Sequence, residues 1–146
     1  MAALGYAVFA LVMAAGRFTG DWLTMRLGPA RIVRGGGLLV IAGMGLALVS
    51  ATAGPAVSGF ALVGAGVACI FPLIMSAAAR TPGVAPGTGI AAMASVGYTG
   101  FLLGPPLIGS VAELTSLRGA LGVLVLFGLG IVLFGASVAG RRPGPI

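Results

Sequence analysis

The chain has no lysine or histidine, only two acidic residues and a single cysteine. Without histidine it lacks the side chain that most often serves as a general base or a metal ligand. The lone Cys69 cannot form a disulfide within the chain, and no P-loop pattern for a nucleotide is present. We therefore expect neither an enzyme nor a metal or cofactor site.

Charge of either sign is scarce along the chain. Charged residues make up 7% of the 146 residues and hydrophobic residues 59%, whereas soluble domains carry roughly 25% charge. A soluble fold of this length could not hide so much apolar surface, so we predict an integral protein of the lipid bilayer. A net charge of +6 can indicate nucleic-acid binding, but membrane orientation explains it better, and no nucleic-acid partner is expected.

Long apolar runs divide the chain into segments that match the bilayer. A helix needs about 20 mostly apolar residues to cross it, and Gly54-Pro55 is a turn signal that divides the longest run. The runs are continuously apolar, which favours helices over alternating barrel strands. We predict one all-α, polytopic transmembrane helical bundle, with five spans near residues 1–20, 35–53, 56–79, 88–112 and 119–140.

The arginines predict how the bundle is oriented. If the spans alternate, seven of the eight arginines, including Arg141 and Arg142, lie on one side and Arg118 alone on the other. Short loops rich in Lys and Arg stay in the cytoplasm, so the segment between the first two spans is predicted inside and the N-terminus outside. Such a start at Met1 suggests a fragment, although a small protein with its own outside start is the alternative. The exclusive use of arginine suggests a bacterial plasma (inner) membrane.

Half of the charged residues lie in one stretch, GRFTGDWLTMRLGPARIVR, at residues 16–34. Arg26-Leu27-Gly28, with basic residues following, resembles a loop motif of the major facilitator superfamily of transporters. The aspartate of that motif would fall at Met25, whereas this chain has one a helical turn earlier. The resemblance implies a motif that latches neighbouring helices in one transport state, formed by Gly20, Asp21, Arg26, Gly28 and Arg31. The alternative is that the arginines merely hold the loop inside.

Later segments extend the resemblance to the C-terminal portion of these transporters, helices eight to twelve. Residues 59–80 resemble the tenth helix and residues 97–113 the eleventh, in which Gly100, Gly104 and Pro105 echo a helix-packing and gating motif. The resemblance implies secondary active transport of a small-molecule substrate by alternating access, without a cofactor and together with missing N-terminal helices of a twelve-helix transporter. The alternative is a small non-transport membrane protein that acts as an assembly or regulatory subunit.

Polar residues suggest which spans face a cavity, since polar groups in a membrane prefer the bundle interior. The first, third and fourth spans carry them, so these spans are predicted to face the centre and the other two to face lipid. Tyr6, Phe71 and Tyr98 are then predicted to line a cavity. Pro72 is predicted to bend the third span, because proline removes a backbone hydrogen bond, and such a bend is either a hinge or a passive kink.

Overall fold

A computed structural model describes residues 2–50 and 52–135 of the chain. The described part consists of six α-helices and contains no strand: α1 (Ala2–Leu27), α2 (Pro29–Val49), α3 (Ala53–Val67), α4 (Ile70–Ala79), α5 (Pro86–Leu114) and α6 (Leu117–Phe134). Five helical segments are long and apolar enough to cross a membrane, with α3 and α4 together forming one of them. The prediction of an all-α bundle with five spans is confirmed. Arg141 and Arg142 lie outside the described residues.

The charged stretch at residues 16–34 is helical rather than a loop. The first helix continues to Leu27 and the second begins at Pro29, so Gly28 alone separates them. Charge marks where a chain leaves the hydrocarbon, but arginine, methionine and leucine are good helix formers and do not end a helix. The helices therefore extend beyond the segments that hydropathy marks as apolar.

Gly28 makes the turn between α1 and α2 because of its backbone conformation. Its φ is 81° and its ψ is 154°, a region that is essentially restricted to glycine. A Cβ atom placed there would meet nothing within 4 Å, so crowding does not explain the glycine. Pro29 follows at the first position of α2, where its fixed φ suits a helix start.

We expect Gly28→Ala to destabilise the protein by about 1–3 kcal/mol, the usual cost of a non-glycine residue in such a backbone region. Gly35→Ala is the matched control, because Gly35 also has open space around its Cα but lies inside α2. There alanine should be neutral or stabilising by roughly 0.5–1 kcal/mol. Thermal unfolding of the purified variants in detergent measures both effects, and equal melting temperatures would show that the turn does not depend on Gly28.

The second helix occupies the middle of the described bundle, with α3 on one side and α6 on the other. It is the most buried of the candidate spans, and Ile32, Val33, Val40 and Met44 belong to the core. Only part of its surface, including Leu38 and Val49, remains exposed. The expectation that the second span faces lipid is therefore wrong for the surfaces that pack against α3 and α6, because lack of polarity does not reveal how closely a helix approaches its neighbours.

Glycines bring α2 into backbone contact with α3. Gly43 faces Gly59, and a Cβ atom on either one would collide with the carbonyl oxygen of the other. Gly36 faces Gly66 in the same way, with 2.5 Å between a Cβ atom on Gly66 and the carbonyl oxygen of Gly36. Small residues at interfaces let membrane helices approach closely. The two pairs lie about two turns apart and fix how the antiparallel helices cross.

The remaining helices pack less evenly. On α3, a Cβ atom on Gly64 would lie 2.5 Å from the carbonyl oxygen of Phe9 in α1. The short α4 packs chiefly against α5, whose Gly89 contacts the backbone of Ala78, and makes few contacts with α3. The described bundle thus consists of a closely packed group of α1, α2, α3 and α6, with α5 packed against both α4 and α6 at its edge.

Candidate functional site

The third candidate span is interrupted between α3 and α4, at Ala68 and Cys69. Pro72 lies four residues after Ala68, so its missing N–H removes the hydrogen bond that the Ala68 carbonyl would accept in a continuous helix. The regular pattern resumes with the N–H of Leu73, which donates to the carbonyl of Cys69 at 3.2 Å. The helix is thus interrupted one turn before Pro72, because the proline ring clashes with the backbone of the preceding turn.

The first helix covers this interruption with two glycines. A Cβ atom on Gly16 would lie 2.7 Å from the Cβ of Ala68, and one on Gly20 would lie 2.6 Å from the Sγ of Cys69. The thiol of Cys69 donates to the carbonyl oxygen of Gly16 at 3.4 Å. Gly20, predicted from the loop motif, is therefore a buried contact between α1 and the break in the third span.

This contact predicts a compensating pair of substitutions. Gly20→Ala alone should destabilise the protein by about 1–2 kcal/mol, because its new methyl group meets the Cys69 sulfur. Combining it with Cys69→Ala should restore most of that loss, since the Cβ of residue 69 lies 3.8 Å from the same point. A double-mutant cycle of unfolding free energies measures the coupling. Additive effects of the two changes would contradict the contact.

Aromatic residues from α4 and α5 line an open cleft next to the interruption. Its cavity of about 360 Å³ is lined by Phe71, Ala94, Gly97, Tyr98 and Phe101. Phe71 and Tyr98 are both largely exposed, at 56% and 74%. The structure therefore brings together two of the three residues that were predicted to line a cavity. We call this site, defined by these five residues, the aromatic cleft.

Sequence reasoning missed three residues of the aromatic cleft, Ala94, Gly97 and Phe101, of which only Phe101 is aromatic. It lies three residues after Tyr98 in the same helix, a spacing that places two side chains on one face. That spacing was available from the sequence. What the sequence does not show is that Phe71, from another helix, lies opposite the same face.

The predicted cavity residue Tyr6 lies in a different place. It lines a larger apolar cavity of about 650 Å³ between α1, α2 and α3, to which Leu124 of α6 also contributes. Its ring stacks with that of Phe9 at a centroid distance of 6.4 Å. The three predicted residues therefore divide between two cavities.

The charged residues of the predicted motif are exposed around the turn at Gly28. Arg26 places its guanidinium over the ring of Trp22, 4.3 Å from the ring centroid. Arg31, Asp21 and Arg17 are exposed. In the described part of the chain no ion pair joins Arg17 and Asp21, although their spacing in a helix allows one. The cationic side chains remain available to groups outside the described residues.

The predicted packing motif on α5 has no partner among the described residues. Cβ atoms placed at Gly100 and Gly104 would meet nothing within 4 Å, and the most apolar part of α5 contains no buried residue. The helix continues through Pro105 and Pro106 to Leu114. These residues lie on a long, uncovered surface of α5. They take no part in the contact between α1 and Cys69.

Known proteins were found that resemble most of this chain. No family model and no solved structure matches it. The membrane protein MosC of Rhizobium meliloti is 39% identical over 92% of the chain. An uncharacterized MFS-type transporter of Yersinia pestis is 36% identical over 86%, and the uncharacterized transporter y4wD of Sinorhizobium fredii is 37% identical over 97%. The chain spans only about a third of the length of each relative.

Proposed function

We propose that this chain, which is similar to an uncharacterized MFS-type transporter and to a second uncharacterized transporter, is part of a secondary active transporter that moves a small solute by alternating access. The observation that carries the proposal is the interruption at Ala68–Cys69, which lies beside the aromatic cleft formed by α4 and α5. Broken helices that line binding sites are typical of secondary transporters. The five spans would then correspond to helices eight to twelve.

Other helices of the same transporter are the proposed partners of this chain. The relatives are about three times as long as the matched region. The uncovered surface of α5 around Gly100 and Gly104 offers the small residues that closely packed membrane helices need. An assembly or regulatory subunit is the less favoured alternative, because two of the relatives are named as transporters. The inner membrane of a bacterium is the proposed location, and the lipid bilayer the proposed surrounding.

In the proposed cycle the pair α4–α5 tilts around the interruption while α1 holds the pivot. The contacts of Gly16 and Gly20 with Ala68 and Cys69 fix the pivot against α1. Because Phe71 lies just beyond the pivot and Tyr98 lies on α5, such a tilt changes which side of the membrane the cleft opens to. The motif Gly20, Asp21, Arg26, Gly28 and Arg31 would stabilise one of the two states, and Pro105 would shape the α5 surface.

Solute flux in proteoliposomes tests the proposal. The intact transporter that includes this chain should move at least one solute from a panel of sugars, drugs and metabolites, and flux should stop when the ion gradients are dissipated. The 146-residue chain alone should show none. Flux that is independent of any gradient, or absent for the whole panel with correctly inserted protein, would contradict secondary active transport.

Pro72→Ala should slow that flux by up to about tenfold. Alanine restores the N–H that bonds to the Ala68 carbonyl, and one hydrogen bond contributes about 0.5–1.5 kcal/mol to the continuous helix, which is up to about a tenfold change in population. Pro55→Ala is the matched control, because Pro55 also occupies the third position of a helix, α3, but that helix begins a span instead of continuing one. Equal flux in both variants would show that the interruption is a passive kink.

A further inference from the structure

We infer, on the basis of the proposed function, that the aromatic cleft binds a flat, uncharged aromatic portion of the transported solute. Among the described residues, the cleft is lined by α4 and α5. Its cavity of about 360 Å³ lies at the low end of the roughly 300–1,000 Å³ that is usual for small-molecule sites. That size fits a ring system rather than a peptide or a large sugar.

The shape of the cleft favours a flat ligand. Phe71 of α4 stands on one side, and Tyr98 and Phe101 of α5 stand on the other. Between them the lining residues are small: Ala94 has only a methyl group, and Gly97 lies where a Cβ atom would be 3.7 Å from Cε2 of Phe71. An aromatic ring bound there would contact aromatic side chains, which favour offset-stacked and edge-to-face arrangements with aromatic ligands.

The polar groups around the cleft favour an uncharged ligand. None of the five lining residues carries a charge, and an unpaired ion would lose its hydration without compensation. The neighbouring hydroxyls of Ser95 and Thr99 donate to carbonyls of their own helix, at 2.9 and 2.8 Å. Among the five lining residues, only Tyr98 thus has a polar side-chain group. Its hydroxyl can form a hydrogen bond with a single hydroxyl or carbonyl on the ligand.

The two tyrosines of the chain provide a probe and its control in one sample. Tyr98 lies in the aromatic cleft, whereas Tyr6 lines the other apolar cavity. The chain is labelled with 3-fluorotyrosine in lipid nanodiscs and its two fluorine resonances are assigned with Tyr6→Phe. It is then titrated with 2-naphthol, with the saturated analogue decahydro-2-naphthol, and with the cation 2-naphthylmethylammonium.

We expect 2-naphthol to shift the Tyr98 resonance in a saturable way and to leave the Tyr6 resonance unchanged. Decahydro-2-naphthol and the ammonium ion should each need at least about fivefold higher concentrations, because ring stacking contributes about twofold to tenfold per ring pair. Phe71→Leu should raise the half-saturating concentration of 2-naphthol by a similar factor. Phe9→Leu, beside Tyr6, should leave it unchanged, and an unaltered Tyr6 resonance in Phe71→Leu shows that this variant is folded.

Three results would overturn the inference. Equal shifts at both tyrosines would show that the probe enters apolar surroundings without preference for the aromatic cleft. Equal affinity for the saturated analogue would show that the aromatic rings are not recognised, and tighter binding of the ammonium ion would make the cleft a cation site. Because the titration reads binding without transport, a failure of solute flux with this binding intact would count against the proposed function alone.

Discussion

Gly43→Leu is expected to remove most of the folded protein, whereas Gly45→Leu, two residues along the same helix, is expected to be tolerated. At Gly43 the backbones of α2 and α3 touch, and any Cβ atom would collide with the carbonyl oxygen of Gly59 and lie 2.8 Å from the Cβ of Leu62. At Gly45 a Cβ atom meets nothing within 4 Å. The two substitutions add the same side chain to the same helix and differ only in what it meets.

The cost at Gly43 should reach or exceed the upper part of the usual range for overpacking, about 1–3 kcal/mol, which is on the order of a hundredfold in the folding equilibrium. The obstructing atoms belong to the backbone, so the two helices must move apart along their whole crossing. That separation would also loosen the second glycine pair, Gly36 with Gly66.

Fluorescence-detected size-exclusion chromatography of detergent extracts measures the folded fraction of each variant. Gly59→Leu should behave like Gly43→Leu, and the double variant should be little worse than either, because both changes break one contact. A folded fraction for Gly43→Leu equal to that of Gly45→Leu would mean that α2 and α3 do not cross at these glycines.

Replacing Arg26, Arg31 and Arg34 together by glutamine is expected to leave the protein in mixed orientations. These exposed side chains lie around the turn between α1 and α2, and arginines near the ends of spans set orientation. Without them the arginine count falls from seven against one to four against one, so a part of the molecules should insert the other way. Arg118→Gln is the control, since it lies at the start of α6 on the opposite side and its loss should leave one orientation.

Labelling of single cysteines with a membrane-impermeant maleimide measures the orientation, in a Cys69→Ala background. Thr81 lies in the segment between α4 and α5, and Ser116 lies between α5 and α6. In the otherwise native chain, a cysteine at Thr81 should be labelled only in inverted vesicles and one at Ser116 only in intact cells. Labelling of both from the same side would refute the alternating arrangement of the spans, and the reverse pattern would refute the proposed orientation.

The sequence predicted features of the site that depend on one residue or one helix. Pro72 was expected to disturb the third span, and the interruption lies one turn before it. Gly28 was expected as part of the loop motif, and it forms the turn between α1 and α2 with a φ of 81°. Sequence reasoning did not reach Phe101 as a partner of Phe71, nor the separation of Tyr6 from Tyr98, because these depend on which faces of two helices meet.

From the sequence alone it follows that the protein lies in the lipid bilayer, that it is helical and how many spans it has. Each of these depends on the length of local apolar runs and on the hydrogen bonding of the backbone in lipid. Tertiary structure alone decided that α2 lies between α3 and α6, that particular glycines are the points of backbone contact, and that an aromatic cleft lies between α4 and α5. In lipid, apolar side chains gain little by choosing one helix over another. The arrangement is therefore set by steric fit between helix surfaces, which composition and spacing do not describe.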